Sequence, residues 1–440
     1  MTLALASRRT ALTPPWVKND LWRRARAVPS LELRFADNKS LTDAVTGASL
    51  VTFTRSSNGT FVDSAGVLQT AATDVPRFDH NPTTGESLGL LVEEQRTNLL
   101  QRSEEFDNAI WTKSACSATA NSINAPDGAA TADFVVENSA SAIHRVTLPS
   151  ISFTASTVYT VSIFAKSTNR NLYINANTAI AARASFNLAT GAINVIGAGS
   201  AAITAYANGW YRCSVTGTAP STQTTGGFFQ LNTNALAADE TYTGDGTSGI
   251  YIWGAQLEAG AFPTSYIKNV DTAAGVTRNA DVCSITNANL LPWFTSFDEH
   301  TFYAELKGES PKTLGGIIME GLVSGTIGGV SLTINSTATR FRSQQRHGVA
   351  RFDSGNTLGG TLNNTVNRVA LRASALGSQS AENGLLPPLG TVAQADWNTG
   401  ASIAIGKRSN GSSLFLNGCI ARIAYWPQSL ANSTLQTLTQ

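Results

Sequence analysis

The feature that most constrains this chain is a recurring alternation of apolar and polar residues in short runs cut by turn signals. Val158-Tyr-Thr-Val-Ser-Ile-Phe-Ala165 is the longest run, and Ala132–Val136, Asn171–Ile174, Ala184–Leu188, Trp210–Val215, Phe228–Leu231 and Gly249–Trp253 repeat its rhythm. Period two sends successive side chains to opposite faces of a strand. Runs this short, separated by turn residues, predict antiparallel β-sandwiches. In the longest run Tyr159, Val161 and Ile163 alternate with Thr160, Ser162 and Phe164, so one face is expected to be fully buried and the other partly.

Composition agrees with many strands and tight turns. At 440 residues, 42% hydrophobic and only 14% charged, the chain is too long for one core, and two to four domains are expected. A net charge of +1 makes no electrostatic case for binding nucleic acid. The exception is residues 1–30, where Arg8, Arg9, Lys18, Arg23, Arg24 and Arg26 face Asp20 alone. Trp16 and Trp22 lie among these charges, and together with Arg23 and Arg24 they read as an anchor into a partner protein. Cys116, Cys213, Cys283 and Cys419 lack the spacing of a disulfide framework or a zinc site and are expected as small buried hydrophobes. No apolar run is long enough to span a membrane, and no signal-peptide core is seen.

Residues 31–98 offer strand pieces at Leu31–Phe35, Leu50–Thr54, Thr60–Val62 and Leu88–Val92, with turns at Asn58-Gly59, Ala65-Gly66 and Asn81-Pro82. They are expected as a small β domain whose thin core leans on neighbours or on copies of itself. Residues 99–270 read as one sandwich, 271–282 as a linker and 283–440 as a second sandwich. The fold class is therefore all-β: an N-terminal segment, a small β domain and two antiparallel β-sandwich (jelly-roll) domains.

Two phrases carry a resemblance. Gly89-Leu-Leu-Val-Glu-Glu-Gln-Arg-Thr-Asn-Leu-Leu100, with Ser103-Glu-Glu-Phe106 and Trp111, is answered by Ile250-Tyr-Ile-Trp-Gly-Ala-Gln-Leu-Glu-Ala-Gly-Ala-Phe-Pro-Thr-Ser-Tyr266. They resemble the opening and closing phrases of a carbohydrate-binding-module-like sandwich of tailed-phage surface proteins. Thr52-Phe-Thr-Arg55, Gly59-Thr-Phe-Val-Asp63 and Arg77-Phe-Asp-His80 resemble a phage head-spike-fibre domain. Thr301–Leu306, Asn367–Leu371, Ile403–Gly406 and Phe415–Pro427 are similar to a laminin-G or concanavalin-type sandwich, which implies a closing helix at Ser429–Leu438 capped by Ser429. The resemblance implies a virion fibre or spike, made in a host cytoplasm and released by lysis. It would be docked to other virion proteins through its N-terminus, trimeric, and adherent to host-surface polysaccharide. Alternatives are a minor tail or baseplate protein using sandwiches as spacers, and a polysaccharide depolymerase.

Against the depolymerase stands the pairing of acidic residues. Glycoside hydrolysis needs two carboxylates flanking one bond, whereas Glu93-Glu94, Glu104-Glu105 and Asp298-Glu299 are adjacent and point to opposite strand faces, which reads as solvated positions. His80, His144, His300 and His347 are scattered and no nucleophile elbow is present, so no enzyme and no cofactor are expected. Sugar contact needs exposed aromatics and polar groups. The candidates are Tyr173, Tyr206, Tyr211, Tyr242 and Trp397, with the basic edge Arg340, Arg342 and Arg346, while Trp210 and Trp253 read as core. Asp245 in Gly244-Asp-Gly-Thr-Ser-Gly249 is a weak calcium candidate; a plain Gly-rich turn is the commoner reading.

Overall fold

A computed structural model of the chain describes residues 20–233, 238–290, 294, 299–307, 317–322, 329–334, 341–347, 350–353, 366–374, 377–386, 402–407 and 415–440. For the strands between 317 and 353 it describes the backbone alone. The fold is all-β and antiparallel, as the alternation predicts, but the chain is shared between its sandwiches in an unexpected way.

Strand Gly418–Trp426 lies at the centre of one sheet. His300–Lys307 pairs along one side of it, and the N-terminal strands Leu31–Leu33 and Ser87–Val92 share the other side. Phe78–His80 extends the sheet beyond Ser87–Val92, and Val366–Ser374 and Gly377–Glu382 extend the opposite edge. The facing sheet mixes the same distant segments, because Val51–Thr54 pairs with Val282–Ile285, which pairs with Ser402–Ile405. Leu31, Leu33, Phe53, Leu90, Val92, Ile285, Phe302, Ile405, Ile423 and Tyr425 form one core between the two sheets.

The small β domain expected at 31–98, with its thin core leaning on neighbours, is merged into the C-terminal sandwich. Its strands complete the C-terminal sandwich, because an open strand edge buries its N–H and C=O groups only by pairing. That sharing also resolves the thin core: the apolar side chains of 31–98 belong to a larger one.

Residues 99–270 fold as a separate sandwich inserted into this frame. One six-stranded sheet centres on Val158–Ser167 paired with Tyr211–Thr218 and Gly249–Ala259; the other centres on Asn171–Ala176 and Phe228–Asn232. Val161, Ile163, Ile174, Phe186, Phe229 and Leu257 fill the space between them. The expected linker at 271–282 is instead a seam. Val276–Arg278 pairs with Arg96–Asn98 where the chain enters and leaves the insert, and Arg278 and Asp281 are both fully buried.

Two helices lie on the outer face of the Gly418–Trp426 sheet. The closing helix runs Asn432–Thr439 behind a backbone cap at Ala431, while Ser429 accepts a hydrogen bond from Arg372 at 3.1 Å instead of capping. Asp20–Ala25 packs beside it, with Leu21 and Ala25 buried against Trp426, Leu435 and Leu438. Trp22 Nε1 donates to Glu32 Oε2 at 2.8 Å, Arg24 Nε donates to the Thr437 carbonyl at 2.8 Å, and Arg23 pairs with Asp20 at 2.6 Å. The expected anchor residues Trp22, Arg23 and Arg24 are thus satisfied within the chain, and Trp16 lies outside the described residues. Among the described residues no helix is long and apolar enough to cross a membrane.

A candidate binding cleft at the joint

Where the insert meets its frame, a buried ion network fixes the geometry. Arg55 Nη1 donates to Asp281 Oδ1 at 3.1 Å, and Arg77 Nη2 donates to Asp281 Oδ2. Arg77 also reaches Glu93 at 2.8 Å, and Glu93 lies 3.6 Å from Arg278. All five groups are buried. Burial alone pushes the Glu93 carboxyl up, but the Arg278 and Arg77 guanidiniums outweigh it and hold the carboxyl down at about 2. The expectation of solvated carboxylates fails at Glu93, whose partners come from segments remote in sequence. It fails likewise at Glu104, which accepts from the Tyr266 hydroxyl at 3.0 Å and from Lys268 at 2.6 Å.

The two sequence phrases meet here. Asn98 Nδ2 donates to the Ala255 and Ile267 carbonyls, and its Oδ1 accepts from Leu257 N at 3.2 Å. Gln256 Oε1 accepts from Ile267 N at 2.7 Å, and Glu258 accepts from both Thr264 N and Thr264 Oγ1. Glu93 holds Ser265 through its amide and hydroxyl at 2.8 and 2.6 Å. These bonds freeze the loop from Phe262 to Tyr266 against the end of the insert.

Across from that loop stands the hairpin Gly59–Val62 and Leu68–Ala71. Its Val62 and Leu68 pack on Phe164, Trp210, Trp253 and Tyr266 of the insert, forming a small core at the joint. Trp210 and Trp253 are buried as expected, but here rather than between the sheets of the insert. This cover also explains why both faces of Val158–Ser167 are buried.

The joint leaves a cavity of about 440 Å³. Phe61, Tyr206 and Phe262 give it aromatic walls, while Asp79, His80 and Arg212 supply polar groups. Tyr206 is half-buried and held edge-on against Phe164, with ring centroids 5.0 Å apart. The tight turn after it, with Asn208 at φ 59°, fixes its backbone through a Tyr206 N to Trp210 O bond of 2.7 Å. His80 is buried, and its Nδ1 lies 2.9 Å from the Val62 carbonyl, to which it must donate; Nε2 is then an acceptor, and it has no partner. Arg212 Nε is also unpartnered, although Arg212 Nη1 and Nη2 bond Thr264 O and Ser162 Oγ. Asp79 Oδ1 accepts from Val62 N at 2.6 Å, and burial pushes its carboxyl up to about 6.

Of the expected sugar-contact residues whose side chains are described, only Tyr206 lines this cleft. Tyr173 is fully buried in the insert and cannot stack on an external ring. Tyr211 is half-buried against the core of the insert. Tyr242 donates to Glu137 at 2.6 Å beneath the Arg170 guanidinium, and is not among the residues lining the cleft. Asp245 caps its own turn, accepting from Thr247 and Ser248 and facing Arg170 at 3.3 Å, which is the geometry of the Gly-rich turn given as the commoner reading. Arg342 and Arg346 lie on strand Phe341–His347; Arg340 and Trp397 fall outside the described residues. His80, Phe61 and Phe262 were not singled out as contacts, because only their convergence from three segments makes them a site.

No family model and no curated protein matches the chain. Solved structures with local likeness include domain 4 of an extracellular arabinanase from Geobacillus stearothermophilus in complex with arabinotriose, at 16% identity, 37% of this chain, 73% of that one and TM-score 0.30. Others are mouse laminin α1 domains LG4-5, at 10% identity, 64% of this chain, 92% of that one and TM-score 0.24, and a carbohydrate esterase from Shiga toxin-encoding bacteriophage phi24B, at 11% identity, 35% of this chain, 81% of that one and TM-score 0.21. At these values the likeness carries no argument about what this chain does.

Proposed function

We propose that this protein is a glycan-binding adhesion protein, a fibre or spike of a phage-like particle that attaches to host-surface polysaccharide through the cleft at the joint. The observation that carries the binding reading is a cavity of about 440 Å³ walled by Phe61, Tyr206 and Phe262, with Asp79, His80 and Arg212 among its polar lining residues. A sugar offers the complement: hydroxyl donors on its rim and an apolar ring face for an aromatic wall. The virion setting, docking to other virion proteins and a trimeric state rest on the sequence phrases.

Binding without turnover is part of the reading. Glu93 is committed to Arg77, Arg278 and Ser265, so Asp79 has no free carboxylate opposite it to complete the pair that glycoside hydrolysis needs. Single-site affinity is then weak, about millimolar, and attachment gains its strength from several copies acting together.

The test is a multivalent display of the full chain over a panel of bacterial surface polysaccharides. Tyr206→Ala should lower binding about tenfold while the chain stays folded, with only the modest drop in melting temperature expected from its contact with Phe164, and the polysaccharide should keep its chain length. Binding indifferent to Tyr206→Ala would remove the cleft from the proposal; released oligosaccharides would make the protein an enzyme.

A further inference from the structure

A second cavity, of about 400 Å³, lies beside the first and shares Tyr206 with it. The same two pieces of chain build both. The hairpin contributes Val62 and Leu68 to the first cavity and its tip, Gly66 and Val67, to the second. The turn of the insert contributes Ala205 and Tyr206 to the first, and Tyr206, Ala207 and Asn208 to the second. The partition between them is thin. Gly66 sits at φ +77°, and a Cβ there would meet the Pro82 carbonyl at 2.6 Å and Ala207 Cβ at 2.9 Å. Pro82 belongs to the wall of the first cavity, and Gly66 and Ala207 belong to the second.

The two cavities differ in chemistry. The first has the aromatic walls, with Asp79, His80 and Arg212 among its lining residues. The second combines the amide and amine groups of Asn124, Asn208 and Lys166 with apolar Val67, Ile123 and Trp210, and Tyr206 lines it too. A single ring fills one cavity and leaves the other empty. A chain of rings uses both, with Tyr206 as the platform between them.

Resting on the proposed glycan reading, we infer that the two cavities are subsites for one linear oligosaccharide, so that the protein recognises the interior of a polysaccharide chain and not a terminal sugar. Lys166 and Asn208 are the distal contacts, and Tyr206 is common to both subsites.

The probes are fragments of graded length, from disaccharide to octasaccharide, made by mild acid hydrolysis of whichever surface polysaccharide the full chain binds. They are measured against sparsely immobilised protein so that avidity is absent. The octasaccharide should bind about tenfold tighter than the disaccharide. Lys166→Ala and Asn208→Gly, the latter suited to the positive φ, should erase that gain and leave disaccharide affinity unchanged. Tyr206→Ala should weaken both. Affinity independent of length, or distal variants that weaken the disaccharide as much as the octasaccharide, overturns this inference while leaving the adhesion reading intact. Failure of every fragment to bind, where the parent polysaccharide does bind, likewise overturns the subsite inference, whereas failure of the parent polysaccharide itself overturns the adhesion reading.

Discussion

Replacing Asp281 by Ala removes the carboxylate on which the joint turns. The side chain is fully buried and accepts from Arg55 and Arg77, and its Oδ2 also receives the Glu93 amide at 2.8 Å. Removing one partner of a buried ion pair costs about 3–5 kcal/mol, because the remaining charge stays buried. Two features set this case near the lower end. Arg77 keeps Glu93, and Arg55 keeps the carbonyls of Ser57, Ala71 and Ala72 at 2.9, 3.2 and 2.8 Å. With a urea slope of about 2 kcal/mol per molar, a loss of about 3 kcal/mol lowers the midpoint by about 1.5 M. The assay is urea unfolding followed by tryptophan fluorescence, fitted by separate transitions if the two sandwiches unfold apart. Asp281→Asn is the isosteric control. It keeps the shape but not the charge, and places an amide N–H₂ toward a guanidinium, so its loss should approach that of Ala. A shift below about 0.3 M for Ala, or full stability for Asn, would refute the electrostatic account of the joint.

Other outcomes follow from the same structure. Burial raises Asp79 from the ordinary 3.8 to about 6, so the folded state binds that proton more tightly than the unfolded one. Its stabilising effect is full below the ordinary value and is lost as pH rises through about 6; Asp79→Asn should therefore raise the melting temperature at about pH 8 and leave it unchanged at about pH 3.5. Glu93 works in the opposite sense: depressed from 4.5 to about 2, it stabilises above its ordinary value and loses that effect as pH falls toward about 2, so Glu93→Gln should flatten the acid limb of a stability–pH curve. Leu21→Ala, which hollows the contact of Asp20–Ala25 with Trp426 and Leu435, should cost about 2–4 kcal/mol. An unchanged melting temperature would mean that this helix does not dock on its own body.

Much of the fold was legible because strand periodicity and turn chemistry are local. Val158–Ala165 announced a strand with one wholly buried face, and the recurrence of such runs announced antiparallel sandwiches. The two phrases at 89–111 and 250–266 were legible as a pair, and Asn98, Gln256, Glu258 and Tyr266 do meet. The partner of an edge strand was not legible. Leu31–Leu33 bonds to Gly418–Trp426 through backbone groups that every residue carries, so its side chains hold no address for a partner almost the whole chain away.

The same limit applies to the site. Sequence alone determined which residues were able to act: aromatics for a sugar face, carboxylates, a histidine, and arginines. Tertiary structure decided which of them do. Tyr173 and Tyr206 are the same residue type, one within strand Asn171–Ala176 and the other just past strand Ser200–Ala205, yet one is sealed in a core and the other lines two cavities. Glu93 read as solvated until Arg77, Arg278 and Ser265 were brought to it. Exposure and charge pairing are set by what covers a side chain, and here the cover comes from segments that only the folded chain brings together.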